Sequence, residues 1–479
     1  MPQTATPLLD ALCAAAQAPR AAFHTPGHKK GQGSPASLAN LLGRAVFAAD
    51  LPELPELDNL FAPSGVIQAA QELAAEAFGA DRTWFLANGS TCGIEAAVLA
   101  TCNPGDKIIL PRNSHQSAIA ALILSGAIPV WIEPDSDPVW NVAHGISPAA
   151  LEAALAQHPE AKAVLVVSPT YYGVCSDLRA IADLTHRYDL PLLVDEAHGA
   201  HFAFHPDLPT PALQAGADLA VQSIHKTLAA LTQAAMLHTR GNRVDGDRLN
   251  RCLQLVQSTS PSYLLLASLD AARQQMATQG KALLTQTLEL AAIARTHLSK
   301  IPGLAVLQTV SAPGFHCLDP TRLTVDVSGW GLTGFEADER LHQTLGVTCE
   351  LPGLQHLTFI LTHGNTAAEI DRLIQAFQTL STHQSPAAAL QLPPAPPPST
   401  ALLSPRQAFF SASETVPIAT AVGQCSAELI CPYPPGIPAL FPGEIITAKA
   451  IAYLQQILAL GGVLTGCADV DLRTLKIVR

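Results

Sequence analysis

Charge is scarce in this sequence. Only 14% of its 479 residues are Asp, Glu, Lys or Arg and 48% are hydrophobic, against roughly 25% charged in an average soluble domain. A chain this apolar can repay the entropy of ordering by burial, which excludes global disorder. Basic residues are the scarcer sign, 27 against 39 acidic for a net charge of -12. They form no cluster, so nucleic acid is excluded as a partner. Long apolar runs are missing too. The longest, Ala118 to Ile132, is broken by Ser125, Gly126 and Pro129 and falls short of the roughly 20 residues of a spanning helix. No membrane partner is expected. The ten cysteines are dispersed and contain no CxxC pair, which excludes a zinc ribbon or a disulfide framework and reads as reduced, mostly buried thiols in a cytoplasmic protein. Met1 to Arg20 lack the basic start and apolar run of a signal peptide. No internal repeat is present.

What is there has the rhythm of an α/β protein. The length allows about three domains of roughly 150 residues. From Asn88 to Met236, helix-like segments alternate with short apolar runs, Lys107–Leu110, Ala163–Val167 and Leu190–Val194. Such alternation predicts a mostly parallel sheet. Each run ends in a polar loop: Pro111-Arg112-Asn113-Ser114-His115, Ser168-Pro169-Thr170-Tyr171-Tyr172-Gly173 and Asp195-Glu196-Ala197-His198-Gly199. Ligands of open α/β sheets bind at the carboxyl ends of strands, so these loops are where chemistry is expected. Leu264 to Leu298 is nearly free of Gly and Pro and predicts a long helix. A smaller α/β unit follows from Gly303 to Thr382, with strands near Arg322–Val327 and Leu357–Leu361. The Pro-rich stretch from Gln391 to Thr400 predicts an extended spacer before a C-terminal segment.

The strongest local signal is Ser223-Ile224-His225-Lys226-Thr227, which follows the apolar run ending at Val221. A lysine at a strand end can serve as a Schiff-base amine; an isolated one is more often a surface residue. Three further features shift that balance. Asn88-Gly89-Ser90-Thr91-Cys92-Gly93 leads into a helix-like run, and such a turn offers N–H groups and hydroxyls to a phosphate. It lacks both the GxxxxGK[ST] and the GxGxxG pattern. Asp195 closes a strand, where a carboxylate can hold a protonated ring nitrogen. His115 lies in an earlier strand-end loop, where an imidazole can stack on a flat cofactor.

Phosphate turn, stacking ring, carboxylate and lysine in that order resemble the fold-type I enzymes that use pyridoxal 5'-phosphate (PLP). Six blocks narrow the resemblance: Thr25-Pro-Gly-His-Lys-Lys-Gly31, Asn88-Gly-Ser-Thr91, Asp195-Glu-Ala-His-Gly-Ala-His201, Ser223-Ile-His-Lys226, Ser258-Thr-Ser-Pro-Ser-Tyr263, and Tyr433-Pro-Pro-Gly-Ile-Pro438 with Pro442-Gly443-Glu444. In this order and from residue 25 to 444, they resemble the Orn/Lys/Arg decarboxylase family. The resemblance implies that Lys226 is the Schiff-base lysine and that Ser90, Thr91, Ser223 and His225 serve the phosphate. It implies His115 on one face of the pyridine ring, Ala197 on the other, Asp195 at the ring nitrogen and Thr170 near the cofactor. His198 is implied as a further catalytic residue, although larger relatives carry Trp there; they also usually carry Asp where Tyr172 stands. Thr259 and Ser260 resemble a block that reaches the cofactor phosphate of a neighbouring subunit. Glu444 and His28 are the expected substrate-binding residues, Glu444 for the distal cationic group.

The implied fold is a fold-type I, aspartate aminotransferase-like α/β protein. Its expected parts are an N-terminal arm (1–50), a PLP-binding large domain (51–300), a small α/β domain (301–385), a Pro-rich linker (386–405) and a C-terminal α+β domain (406–479). The family's N-terminal wing domain is absent from the motif map, so a homodimer or dimer of dimers with shared active sites is expected. The implied reaction is decarboxylation of a basic amino acid, arginine or lysine in preference to ornithine. The main rival is an aminotransferase or other PLP lyase, which needs an arginine clamp for a carboxylate; only Arg322 and Arg340 are on offer in the small-domain region, in no such motif. A metal site from Asp195, Glu196, His198, His201 and His205 is disfavoured because the cluster follows a strand and runs into poor helix. A non-catalytic homologue is disfavoured because both lysine and aspartate are in place.

Overall fold

A computed structural model describes residues 1–382, 399–433 and 437–479. The Pro-rich stretch lies almost entirely outside them, as do residues 434–436 of the Tyr433–Pro438 block. The chain divides into two compact units, one of Met1–Thr101 and Pro191–Leu284, the other of Cys102–Leu190 and Thr285–Arg479.

In the first unit, the strand Leu192–Asp195 runs parallel to Leu219–Gln222, with Asp195 opposite Val221. Leu219–Gln222 pairs antiparallel with Ala235–Thr239, which pairs antiparallel with Arg82–Leu86. Leu192–Val194 and Leu219–Val221 are continuous apolar runs, as parallel strands covered on both faces require, whereas the antiparallel pair carries Thr83, His238 and Thr239 among its buried residues. The helix Gly89–Thr101 lies close against them because Gly93 has no side chain: a Cβ there would meet Val221 Cγ1 at 2.7 Å and Leu86 Cδ1 at 2.8 Å. The predicted long helix, Tyr263–Leu298, starts in this unit, to which its residues up to Leu284 belong. Its fully buried Asp270 and Arg273 pair with each other and anchor the start of the chain. Asp270 accepts the Leu8 and Leu9 N–H groups, and Arg273 donates to the Gln3 and Ala5 carbonyls.

In the second unit, Lys107–Pro111 runs parallel to Ile128–Ile132 and to Ala163–Val167. A separate antiparallel sheet holds Ala305–Val306, Arg322–Asp326, His356–Ile360 and Leu351–Pro352 in that spatial order. Its apolar face, with Leu323, Val325, Leu357 and Phe359, packs with Trp330, Leu373 and Phe377 from the following helices. The expected strands there are present within a residue. The C-terminal segment has its own core of Ile430, Leu440, Ile446, Leu454 and Leu475. It is fixed to the first part of its unit by Arg406, which donates to the Ile123 and Leu124 carbonyls at the end of the helix Gln116–Ser125. Among the described residues no helix is long and apolar enough to cross a membrane.

Candidate active site

Parallel pairing of Leu192–Asp195 with Leu219–Gln222 brings two carboxyl ends side by side. Asp195 stands at the first end; at the second, Ser223 precedes a single helical turn, Ile224–Thr227, that carries His225 and Lys226. The loop after Asp195 turns back so that His198 Nε2 lies 3.2 Å from Lys226 Nζ. His198 is buried and Lys226 half-buried. Asp195, also buried, accepts the Ala197 N–H at 3.2 Å, which fixes the first turn of that loop.

The Gly-Ser-Thr turn meets the same place. Ser223 Oγ donates to Ser90 Oγ at 2.8 Å, so two hydroxyls sit together at the N-terminus of a 13-residue helix, where the dipole and the first N–H groups favour an anion. Thr91 is exposed on that first turn. Asn88 accepts the Ser258 N–H at 3.3 Å, tying the segment with the exposed Thr259 and Ser260 to the turn. His225 holds the Ala234 carbonyl through Nδ1 at 3.0 Å; burial above all, and then the neighbouring Lys226, push its pKa down. An amine, a carboxylate at the end of the neighbouring strand and paired hydroxyls at a helix N-terminus are the donor set an aldehyde-bearing pyridine phosphate requires. The residues present therefore fit PLP. His28, the other expected substrate contact in this unit, has both ring nitrogens engaged, Nε2 with Asp50 at 3.1 Å and Nδ1 with the Gly31 N–H at 3.2 Å.

Behind Asp195 runs a buried polar chain that sequence reasoning missed. Thr83 Oγ1 meets His238 Nδ1 at 2.8 Å, His238 Nε2 meets Gln222 Oε1 at 3.1 Å, and Gln222 Nε2 donates to Glu196 Oε2 at 2.8 Å. Glu196 Oε1 accepts the Ala212 N–H at 2.8 Å. Burial pushes the Glu196 carboxyl up to about 8 and the His238 ring down to about 3. Polar residues inside otherwise apolar strands were the available signal. Glu196 is thus spent on Gln222 and Ala212, and among the described residues no group of three or more His, Cys, Asp or Glu is placed to hold a metal.

The second unit carries His115, Thr170 and Glu444. His115 caps the helix Gln116–Ser125, its ring Nδ1 accepting the Ser117 N–H at 3.2 Å. Thr170 is buried in a tight turn, exchanging backbone bonds with Val174 and Gly173. Glu444 is 2% exposed, and Arg112 grips it with Nη1 to Oε1 at 2.6 Å and Nη2 to Oε2 at 3.2 Å. Oε2 also accepts the Phe441 N–H at 3.3 Å. The Arg112 guanidinium lies over the Phe441 ring, 4.4 Å from its centre, and also contacts Glu133. Both oxygens that the sequence reserved for a substrate cation are bound by this chain's own arginine. The arginine stood in the strand-end loop Pro111–His115, but nothing in the sequence paired it with a residue so distant.

Residues 6–380 match the major domain of the Orn/Lys/Arg decarboxylases and residues 396–467 match their C-terminal domain. Two curated relatives, the arginine decarboxylases of Bacillus subtilis and Halalkalibacterium halodurans, are 40% and 41% identical, with all of this chain and 99% and 98% of theirs aligned. The crystal structure of the Francisella novicida lysine decarboxylase LdcF superposes with a TM-score of 0.83 over 99% of this chain and 81% of that one, at 23% identity. Fold and site together define a fold-type I, PLP-dependent decarboxylase. The chain belongs to the Orn/Lys/Arg decarboxylase family.

Proposed function

We propose that this chain converts arginine to its amine and CO2, with lysine and then ornithine as poorer substrates. Support for arginine comes from the names of the relatives aligned end to end with this chain. The observation that carries the chemistry is the 3.2 Å contact between Lys226 Nζ and His198 Nε2 beside Asp195 and the Ser90–Ser223 hydroxyl pair. PLP, when bound, supplies the sink for the electron pair left at Cα as CO2 departs.

Every other part belongs to the chain's residues. His198 Nε2 is placed to take a proton from the Lys226 ammonium, and the neutral amine would then be the group that holds the cofactor. Asp195 keeps a proton on the ring nitrogen. Ser90, Thr91 and Ser223 would bind the phosphate through their hydroxyls; His225, whose Nδ1 is given to the Ala234 carbonyl and whose charged form burial disfavours, would donate through Nε2 only where the phosphate's own negative charge restores the ring proton. Ala197 would cover one face of the ring; the family resemblance gives His115 the other face and Thr170 a place near the cofactor. His28 and Glu444 remain the proposed substrate contacts, and Glu444 would reach a distal cation only by sharing its carboxylate with Arg112.

A homodimer, or a dimer of dimers, completes the proposal, with Thr259 and Ser260 serving the partner's phosphate. Phe23, Leu38, Leu41 and Leu42 support it: these N-terminal apolar side chains are exposed, and the helix Ala36–Leu42 buries none of its residues. The ten unbridged cysteines support a cytoplasmic site of action. The test is CO2 release by the PLP-loaded protein from arginine, lysine and ornithine in parallel. Highest kcat/KM on arginine is expected; transamination without CO2 would establish the rival aminotransferase reading.

A further inference from the structure

Two cysteines from distant parts of the second unit face each other across a two-stranded ribbon. Val174–Cys175 pairs antiparallel with Cys317–Leu318, placing Cys175 directly opposite Cys317. Backbone bonds flank the pair on both sides, His316 N–H to the Cys175 carbonyl at 2.9 Å and Asp319 N–H to the Gly173 carbonyl at 2.8 Å. Residues opposite one another in such a ribbon have Cα atoms about 4.5–5.5 Å apart, inside the window of about 4.4–6.8 Å that a disulfide spans. Cys175 is 4% exposed whereas Cys317 is only half-buried.

We infer that Cys175 and Cys317 form a reversible disulfide modification site that takes a low-molecular-weight disulfide as its oxidant. The two thiols divide the roles by accessibility. Cys317, reachable from solvent, attacks one sulfur of the oxidant as a thiolate and displaces the other as a free thiolate, leaving a mixed disulfide on Cys317. Cys175 then loses its proton and attacks Cys317 Sγ, expelling the second half of the oxidant. Two protein thiols are oxidised and one small disulfide is reduced to two thiolates, which take up the two protons the cysteines lose. A bond from the Cys175 thiol holds Cys317 below the ordinary thiol range, while burial raises Cys92, Cys349 and Cys431, so thiolate character is concentrated where it is reachable. The cross-link would staple the ribbon at the foot of the turn that holds Thr170.

The experiment incubates the PLP-loaded protein with oxidised glutathione and maps non-reduced peptides by mass spectrometry. Wild type is expected to yield a Cys175–Cys317 cross-linked peptide and a melting temperature several degrees higher, both reversed by dithiothreitol. Cys175→Ser should stop at glutathione on Cys317, and Cys317→Ser should give neither product. The exposed Cys13 reports general reactivity in all three. Glutathione on Cys317 of wild type without the cross-link, or two unmodified thiols once Cys13 has reacted, would overturn the inference, and the wild-type map decides this even if a variant misfolds.

Discussion

Arg112 and Glu444, 332 positions apart, form a two-pronged ion pair with oxygens at 2.6 and 3.2 Å. The pair joins the C-terminal segment to the strand-end loop that also contains His115, and the guanidinium is sheltered by Phe441. Removing one partner of a buried pair strands the other charge, at a cost of about 3–5 kcal/mol. Arg112→Ala is therefore expected to lower stability by that order in urea denaturation. Arg112→Lys should recover only part of it, since an ammonium cannot grip both oxygens. A loss below about 1 kcal/mol for Arg112→Ala would show that the pair is a surface contact in solution.

His198 has a different signature. Its Nε2 is 3.2 Å from the Lys226 amine, and a positioned acid–base group contributes roughly 10²–10⁴-fold. His198→Ala should lower kcat by about 10²-fold or more while the bound cofactor's visible absorbance persists. Loss of the absorbance with kcat per bound cofactor unchanged would reassign His198 to cofactor binding.

Glu196 and His238 give the protein a pH dependence with opposite signs. The His238 ring, held near 3 against an ordinary 6.5, favours the neutral form in the folded state, so its contribution grows as pH rises between those values. The Glu196 carboxyl, raised from 4.5 to about 8, also favours its neutral form, so the folded state binds the extra proton and stability falls as pH rises from 4.5 to about 8. Between pH 6.5 and 8 only Glu196 of this pair acts. Wild type should lose melting temperature relative to Glu196→Gln across that range; parallel curves would refute the buried neutral acid.

Gly173 closes the turn that holds Thr170. Its φ is +86°, and a Cβ there would meet the Arg322 Cβ at 2.6 Å. Gly173→Ala combines left-handed strain with a backbone-level clash and should cost about 2 kcal/mol or more in chemical denaturation. A neutral effect would mean that the turn relaxes freely.

The elements that sequence made legible are those written locally. The long helix lacks Gly and Pro and is found at Tyr263–Leu298, and the apolar run Ala163–Val167 is a strand over those same residues. The candidate site was legible where it lies at strand ends: Asp195, His198, Ser223 and Lys226 fall at or just after the carboxyl ends of two strands that parallel pairing sets side by side. What was hidden depends on distance along the chain. Glu444 advertised a free carboxylate because its arginine lies more than 300 positions away, and nothing local in the sequence pairs Gln222 with His238, which meet across the sheet at 3.1 Å.

The central claim is that Lys226 carries the cofactor. Borohydride reduction of the PLP-loaded protein, followed by peptide mapping, should find the pyridoxyl group on Lys226 and nowhere else. A pyridoxyl group on any other lysine, or none on Lys226 in protein that releases CO2 from arginine, would contradict the account.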